Sequence, residues 1–193
     1  MGVGVYLVMV GGWPILWIGV ASLVCAVAYT GGPFPLAYHG LGDVFVFLFF
    51  GLVAVAGTVW VQTLTLSAEA LWAGAGVGAL STAILVANNL RDIPTDREAG
   101  KRTLAVRIGE AGSRAEYLGL LALGAVVPPV GVALFGWPTA TLASVAVLAG
   151  AVDPTRRVLT FTAPEQLLPA LGGTARVVAL YGIALGATLA WGP

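Results

Sequence analysis

The chain has 193 residues, of which 59% are hydrophobic and only 9% are charged, and nine basic residues balance nine acidic ones. An ordinary soluble domain carries about 25% charged residues, so the shortage of charge and the long apolar runs exclude that class and predict a membrane protein. The zero net charge gives no indication of nucleic-acid binding, and the single cysteine, Cys25, excludes an internal disulfide.

The chain is apolar from its first residue. The run MGVGVYLVMVGG at residues 1–12 is too short to cross a bilayer, which takes about 20 residues, so it resembles the end of a helix whose beginning is missing. Gly11, Gly12 and Pro14 predict a turn after it. Six candidate spans follow, at residues 14–30, 43–63, 69–90, 115–135, 138–152 (or as far as 160) and 174–192.

Local signals refine two of these spans. Gly74 and Gly78 form a G-x-x-x-G pair, which predicts close packing of the third span against another helix. Ser113 and Glu116 have the spacing of a capping box and predict the start of the fourth span. The pair at 128–129 is Pro-Pro, which predicts a kink within that span.

Charge and tryptophan fall at opposite ends of the predicted spans. If the spans alternate in direction, the loops 31–42, 91–114 and 153–173 share one side, and all nine lysines and arginines lie there or at its margin. The positive-inside rule makes that side cytoplasmic. The tryptophans fall near the opposite interface, as an aromatic belt would; they are Trp13, Trp17, Trp60, Trp72, Trp137 and Trp191.

The stretch NNLRDIPTDREAGKRTLAVRIG, residues 88–109, concentrates charge of both signs. Asn88, Asp92 and Asp96 are spaced i, i+4, i+8 and would share one face of a helix. Like charges this close are costly at a membrane boundary unless a cation lies between them. Carboxylate and amide oxygens suit Mg²⁺, which completes its coordination with water and phosphate. Basic side chains able to bind phosphate oxygens follow closely, namely Arg91, Arg97, Lys101 and Arg102.

This pattern favours a magnesium–diphosphate site, but it also fits a cytoplasmic loop with ordinary i,i+4 salt bridges. Pro94 interrupts the helical face, so the third span should end near Asp92. Thr95 and Glu98 form a second capping-box pattern, which predicts a short helix starting after Thr95.

The same stretch resembles the second aspartate-rich motif of the UbiA-type intramembrane prenyltransferases. Their 1,4-dihydroxy-2-naphthoate polyprenyltransferases of menaquinone biosynthesis have N-N-x-R-D-x-x-x-D-x-x-x-G-K-x-T-L-A-V-x-x-G, and every fixed position is matched here. Residues 28–62 resemble the loop and following helix of the same subfamily. The resemblance implies an all-α bundle of nine transmembrane helices, of which this chain, as a single domain at 1–193, supplies six spans and an N-terminal half-helix.

The resemblance also implies an activity and a set of roles. A polyprenyl group would pass from its diphosphate to an aromatic acceptor, with Mg²⁺ bound by Asn88, Asp92 and Asp96. Lys101, Arg97 and, with less support, Arg91 would contact the diphosphate. The family's first motif, N-D-x-x-D, is absent from this sequence, so the chain is expected to be N-terminally incomplete.

Three residues of the 28–62 stretch are candidates for contact with the acceptor, namely Tyr29, Tyr38 and His39. Tyrosine also anchors helices at a membrane interface by default, and His39 fits an ordinary interfacial loop residue equally well. Asp43 is expected to stabilise the start of the second span. Two other functions remain open: prenyl transfer to a different aromatic acceptor, and a non-catalytic membrane protein that binds an isoprenoid or an anion.

Overall fold

The computed structural model describes residues 2–33 and 35–192, and these residues form helices and short turns without any strand. Three residues lie outside this description: Met1 of the predicted half-helix, Phe34 of the 31–42 loop and Pro193 at the chain end. Five helices are long and apolar enough to span a membrane, namely Gly2–Thr30, Gly42–Thr63, Ala68–Arg91, Leu104–Phe135 and Pro164–Trp191. The predicted all-α, multi-spanning bundle is therefore confirmed.

The helices are α1 (Gly2–Thr30), α2 (Gly42–Val46), α3 (Ala54–Thr63), α4 (Ala68–Arg91), α5 (Ile93–Glu98), α6 (Leu104–Phe135), α7 (Ala143–Val147), α8 (Val152–Thr160) and α9 (Leu168–Trp191). A π-helical segment, Phe47–Val53, joins α2 to α3 in one continuous span. One-turn 3₁₀ helices occur at Leu36–His39, Thr139–Leu142, Leu148–Ala151 and Pro164–Leu167.

The helix α1 contains the predicted turn as a sharp break. Gly12 has φ 69° and ψ −159°, a conformation that favours glycine, so the half-helix and the first predicted span are two helices within α1. The carbonyl of Gly11, at the break, accepts a hydrogen bond of 2.8 Å from Trp60 Nε1. The break is therefore fixed by a contact with α3.

The helix α4 is the most buried of the five long helices. A Cβ on Gly51 would lie 2.5 Å from Gly78 Cα and 2.6 Å from Gly74 O, so the π-helical segment contacts α4 backbone to backbone. The close packing predicted from Gly74 and Gly78 is confirmed. Because α4 is largely buried in the bundle, the charged residues at its C-terminal end extend directly from the core.

The helix α6 begins earlier than its capping-box pattern predicts. Thr103 is its N-cap and accepts a hydrogen bond of 3.4 Å from Val106 N. Ser113 lies inside the helix and is fully buried, so the predicted cap at Ser113 is wrong. The break in α6 is at Gly109, with φ 70° and ψ −177°. The prolines at 128–129 lie within the helix, and no residue described near them leaves the helical conformation.

The last two predicted spans also differ from expectation. Residues 139–160 form four short α and 3₁₀ pieces rather than one long helix. The helix α9 begins at Leu168, six residues before the predicted position of 174. Pro169 fits in its first turn, where no backbone N–H is needed. Gly173, which reads as a loop residue in the sequence, instead allows α9 to approach Pro154 of α8, whose Cγ would lie 2.5 Å from an added Cβ.

The predicted tryptophan belt is divided between surface and core. Trp13, Trp17 and Trp191 are exposed. Trp137 is buried and packs against Gly131, where a Cβ would overlap its ring. Trp137 is therefore a core residue of the bundle.

Candidate functional site

The motif residues stand in one stack at the end of α4. The amide of Asp92 donates to the carbonyl of Asn88 at 3.1 Å, and the amide of Asp96 donates to the carbonyl of Asp92 at 2.8 Å. These i to i+4 bonds continue across the junction of α4 and α5, so the three side chains rise from successive turns. The predicted end of the third span near Asp92 is confirmed.

The junction is made by Asp92 and not by the predicted cap at Thr95. Asp92 has φ −91° and ψ 4° and stands between the two helices, and α5 starts at Ile93. Pro94 lies in the first turn of α5, where proline is tolerated. Thr95 Oγ1 donates to the carbonyl of Asp92 at 3.0 Å, so Thr95 lies inside α5 and the second capping-box prediction is wrong.

Arg91 binds both oxygens of Asp92. Its Nε lies 2.7 Å from Oδ1, and one terminal nitrogen lies 2.8 Å from Oδ2 and 3.0 Å from Asn88 Oδ1. Asn88 Nδ2 donates to Asp92 Oδ2 at 3.3 Å. The carboxylate of Asp92 is therefore held in a fixed orientation by a bidentate pair and an amide.

Lys101 makes a second ion pair and joins two loops. Its Nζ lies 3.2 Å from Oδ1 of Asp96, a residue only 7% exposed, and 5.0 Å from the ring centroid of Tyr38. The hydrogen bond to Asp96 raises the pKa of Lys101 above its usual range, so this side chain is cationic at neutral pH. The amide of Lys101 also donates to the carbonyl of Asp96 at 2.8 Å.

Backbone contacts hold the Leu36–His39 turn against the motif. The amide of Arg102 donates to the carbonyl of Tyr38 at 2.9 Å. Arg107 Nε donates to the carbonyl of Arg102 at 3.0 Å, and a terminal nitrogen of the same guanidinium donates to the carbonyl of His39 at 2.9 Å. Nδ1 of the His39 ring lies 2.8 Å from the carbonyl oxygen of Pro35. The structure thus brings Tyr38 and His39, which are candidate residues, beside the motif.

Two candidates stand apart from this cluster. Arg97 is exposed on the outer side of α5. Tyr29 lines a cavity of about 1010 Å³ between α1 and the second span. An added Cβ on Gly42 would lie 3.0 Å from the Tyr29 hydroxyl, which places that hydroxyl at the start of α2.

A second acidic pair lies near Tyr29 and was missed from the sequence. Asp43 is only 6% exposed, although it was expected to be an ordinary helix-start residue. Glu116 lies close enough to Asp43 for their charges to interact, and so does Tyr29. In the sequence, Glu116 reads as part of a capping box, and no spacing pattern connects it to a residue 73 positions earlier. Only the tertiary packing of the bundle brings the two within range of each other.

The side chains of Asn88, Asp92 and Asp96 provide only part of the coordination shell of a hard cation. Among the described residues, no group of three or more His, Cys, Asp and Glu side chains converges as a ready metal cage. The stack nevertheless offers two carboxylates and an amide, and Mg²⁺ typically takes one or two carboxylates and completes its shell with water and phosphate oxygens. Such a site suits a metal that arrives together with a phosphate-bearing substrate.

Comparison with known proteins shows the family of this chain. A model described as "UbiA prenyltransferase family" matches residues 1–166. A 1,4-dihydroxy-2-naphthoate octaprenyltransferase of Mycobacterium tuberculosis is 39% identical over 178 residues, which cover 92% of this chain and 60% of the relative. The protein of the same name in Escherichia coli is 44% identical over 112 residues, covering 58% of this chain and 36% of the relative. No solved structure gives a significant match.

One relative has a different prenyl group in its name. A 2-carboxy-1,4-naphthoquinone phytyltransferase of Synechocystis is 30% identical over 157 residues, which cover 80% of this chain and 51% of the relative. This chain spans about three fifths, or less, of the length of the relatives named here. The family match covers well over half of the chain, and the resemblance seen in the motif is confirmed: the chain belongs to the UbiA prenyltransferase family.

Proposed function

We propose that this chain carries the second aspartate-rich half of an enzyme that transfers a polyprenyl group from polyprenyl diphosphate to 1,4-dihydroxy-2-naphthoate, as in menaquinone biosynthesis. The observation that supports this most is the stack of Asn88, Asp92 and Asp96, with Arg91 and Lys101 bound to its carboxylates. We further propose that residues 1–193 form one domain in the cytoplasmic membrane, with the 91–114 loop on the cytoplasmic side.

The carboxylates of Asp92 and Asp96, with the amide of Asn88, are the proposed ligands of Mg²⁺. Bound Mg²⁺ would supply positive charge to the departing diphosphate. Arg91 and Asn88 keep both oxygens of Asp92 oriented, and Lys101 contacts Oδ1 of Asp96. These contacts hold the ligands in place before substrate binds, which reduces the reorganisation needed at the moment of reaction.

The basic residues are the proposed partners of the diphosphate oxygens. Lys101 is one third exposed and carries its charge at the surface of the stack, so its ammonium can donate to a phosphate while it remains near Asp96. Arg97 is exposed one residue after Asp96 and is a further contact for a long, highly charged headgroup. Arg91 is engaged with Asp92, which makes it chiefly a positioning residue.

The Leu36–His39 turn is the proposed edge of the acceptor site. Tyr38 and His39 are held beside Lys101 and Arg102 by the contacts described above, so a ring lying against them would be close to the diphosphate end of the prenyl chain. Tyr29 lines the large apolar cavity instead and would contact apolar parts of a substrate. Loss of the diphosphate leaves an allylic cation, which the electron-rich ring attacks while apolar helices exclude water.

A chimera provides the test. This chain would replace the corresponding 178-residue stretch of the M. tuberculosis relative, and prenylated naphthoate product would be measured in membranes across a Mg²⁺ titration. Asp92→Asn and Asp96→Asn should each lower turnover roughly 100-fold or more, because each removes charge that acts on the transition state. Glu98→Gln, on the exposed side of α5, is the matched control and should leave turnover near that of the parent chimera.

The outcomes separate the alternatives. Turnover in either aspartate variant close to that of the control would refute the metal assignment. Product with other aromatic rings but not with the naphthoate would favour another acceptor. An inactive chimera that is present in membranes at normal abundance would favour the non-catalytic alternative. Octaprenyl and phytyl diphosphates should both be supplied, since relatives carry both prenyl groups in their names.

A further inference from the structure

A small polar pocket lies outside the motif, between α8 and the turn that leads into α9. Its volume is about 380 Å³, and it is lined by Asp153, Arg156, Arg157, Thr160, Phe161 and Gln166. None of these residues belongs to the 88–109 motif or to the Leu36–His39 turn, and the proposed prenyl transfer makes no use of them.

The pocket has a fixed wall, because α6 holds the end of α8. Arg114 Nε donates to the carbonyl of Val158 at 3.2 Å, and the Arg114 guanidinium lies 4.9 Å from the ring centroid of Phe161. On the other wall, Gln166 Oε1 accepts a hydrogen bond of 2.9 Å from the amide of Thr162. The Gln166 side chain is thereby anchored through its oxygen, which leaves its N–H groups as donors.

Three charged residues line the pocket, and they differ in the contacts that they make. Arg157 Nε lies 2.8 Å from Asp153 Oδ2, and the charge of Arg156 also acts on Asp153. Two arginines thus face one carboxylate, which leaves the pocket with one net positive charge. Arg156 lines the same pocket and is exposed, and within residues 2–33 and 35–192 its guanidinium donates no hydrogen bond. An arginine with unused donors beside an amide with unused donors is suited to an oxyanion, because both can bind adjacent oxygens of one phosphate.

The surroundings of Arg156 favour a lipid as the source of that phosphate. Val152 and Leu159 stand at i−4 and i+3 from Arg156, so all three share a face of α8. Val152 is 68% exposed, Leu159 is 41% exposed, and Leu168 at the start of α9 is 53% exposed. A soluble anion gains nothing from apolar neighbours, whereas a phospholipid can place its phosphate on the arginine and its chains along this face.

The pocket also lies at the end of the bundle that holds the charged 91–103 segment. The contact from Arg114 joins the end of α8 to the N-terminal part of α6, close in sequence to the charged 91–103 segment. Helix α8 therefore lies at the same end as that segment, where the lysines and arginines concentrate. Basic pockets between helices at such an end are suited to anionic headgroups.

We propose that Arg156 and Gln166 of this pocket bind the phosphate of an anionic phospholipid, with the acyl chains lying against Val152 and Leu159. The proposal is independent of prenyl transfer, since it requires neither Mg²⁺ nor the motif. It assigns α8 to the membrane surface, where its arginines meet headgroups.

Lipid binding to the purified, detergent-solubilised chain tests this. Phosphatidylglycerol and phosphatidylcholine of identical chains would be titrated, with binding followed by native mass spectrometry and by thermal stability. Wild type should bind phosphatidylglycerol more tightly than phosphatidylcholine. Arg156→Gln should weaken phosphatidylglycerol binding roughly fivefold, the loss expected for one arginine at an anionic surface. Arg176→Gln, an exposed arginine of α9 that does not line the pocket, should weaken it much less.

A second variant and a second ligand complete the test. Gln166→Leu removes the amide donors without changing charge and should also weaken phosphatidylglycerol binding, by a smaller factor. Inorganic phosphate at millimolar concentration should neither stabilise the protein nor displace the lipid. Equal affinity in wild type and Arg156→Gln would overturn the proposal. So would a stabilisation by inorganic phosphate that depends on Arg156 and is not increased by the lipid, because the ligand would then be a free anion.

Discussion

Arg91 binds Asp92, and Lys101 binds Asp96, so each carboxylate of the stack has its own cation. The i, i+4, i+8 spacing predicted the shared face of Asn88, Asp92 and Asp96, because that follows from helix geometry alone. The pairing of Arg91 with its immediate neighbour could not be predicted in the same way, since adjacent residues on a helix do not face each other. It forms because Asp92 leaves the helical conformation at the junction.

Tyr38 gives the first residue-scale prediction. Its ring lies under the Lys101 ammonium, and a cation–π contact at an exposed site is worth about 0.5 to 1 kcal/mol. In the active chimera, Tyr38→Leu should therefore raise KM for the polyprenyl diphosphate by about two- to fivefold. Tyr38→Phe keeps the ring and should leave that KM unchanged. If Tyr38→Phe instead raises KM for the naphthoate, the hydroxyl contacts the acceptor and the ring is not what matters.

Tyr181 gives a prediction about stability. Its hydroxyl donates a hydrogen bond of 2.9 Å to the carbonyl of Gly124, which lacks the usual i+4 amide donor because residue 128 is Pro128 and has no N–H. Tyr181→Phe removes a donor from that buried carbonyl, whose i+4 amide is already missing, at a cost of about 1 to 3 kcal/mol in the free energy of unfolding. Urea or thermal unfolding in detergent would measure the loss.

Tyr117→Phe is the matched control for that variant. The Tyr117 hydroxyl lies 2.8 Å from Thr174 Oγ1, and this threonine also donates to the carbonyl of Ala170 at 2.8 Å. Thr174 therefore keeps a partner when the tyrosine hydroxyl is removed, and the free energy of unfolding should fall less than in Tyr181→Phe. The reverse order would mean that the Gly124 carbonyl finds another donor.

Among the elements, α4 and the π-helical segment approach each other backbone to backbone, and the sequence indicated one half of this contact. The G-x-x-x-G pair of α4 was visible in the sequence because small residues four apart share a helix face. Its partner, Gly51, was not, because nothing in FLFFGLV distinguishes a π-helical turn from an α-helical one. The wider turn brings the Gly51 backbone onto Gly74 and Gly78.

Gly51→Ala should therefore destabilise the bundle, while Gly57→Ala should not. A methyl at Gly51 would meet backbone atoms of α4 at 2.5 and 2.6 Å, and backbone cannot move aside without shifting a helix. Overpacking of this kind costs about 1 to 3 kcal/mol. Gly57, in α3 of the same span, has no atom within 4 Å of an added Cβ. Equal midpoints of thermal unfolding in detergent for the two variants would contradict the proposed packing.

The helix ends show where local sequence patterns are insufficient. Ser113 and Glu116 match a capping box, yet Ser113 is buried inside α6 and Glu116 lies within range of the charge of Asp43. A capping pattern marks a helix start only if the chain arrives there unwound, and α6 has already been started by Thr103 and resumed after Gly109. Likewise, Gly173 reads as a loop residue, but contact with Pro154 makes it a packing residue of α9.

At the scale of the whole molecule, composition was sufficient for the class of fold, since a long chain with so little charge can bury its backbone polar groups only as membrane helices. Composition did not decide how the apolar segments pack. Residues 139–160 are apolar enough to have been predicted as a single span but form short pieces, because packing against α9 and α6 outweighs regular helix formation there. The Asp43 and Glu116 pair is likewise a product of packing.

The orientation of the bundle is the last prediction. The 91–114 loop should face the cytoplasm, because it holds six of the nine basic residues and translocation of such a loop is disfavoured. In a Cys25→Ser background, a cysteine at the exposed Ala99 should react with a membrane-impermeant maleimide only after the cells are opened. A cysteine at the exposed Thr65, in the turn between α3 and α4, should react in intact cells. Helix α4 connects these two positions and is long enough to cross the bilayer once, so the two labels must report opposite sides if it spans. Labelling of Thr65→Cys only after lysis, with Ala99→Cys labelled in intact cells, would invert the orientation, and would place the proposed diphosphate site on the outer face of the membrane.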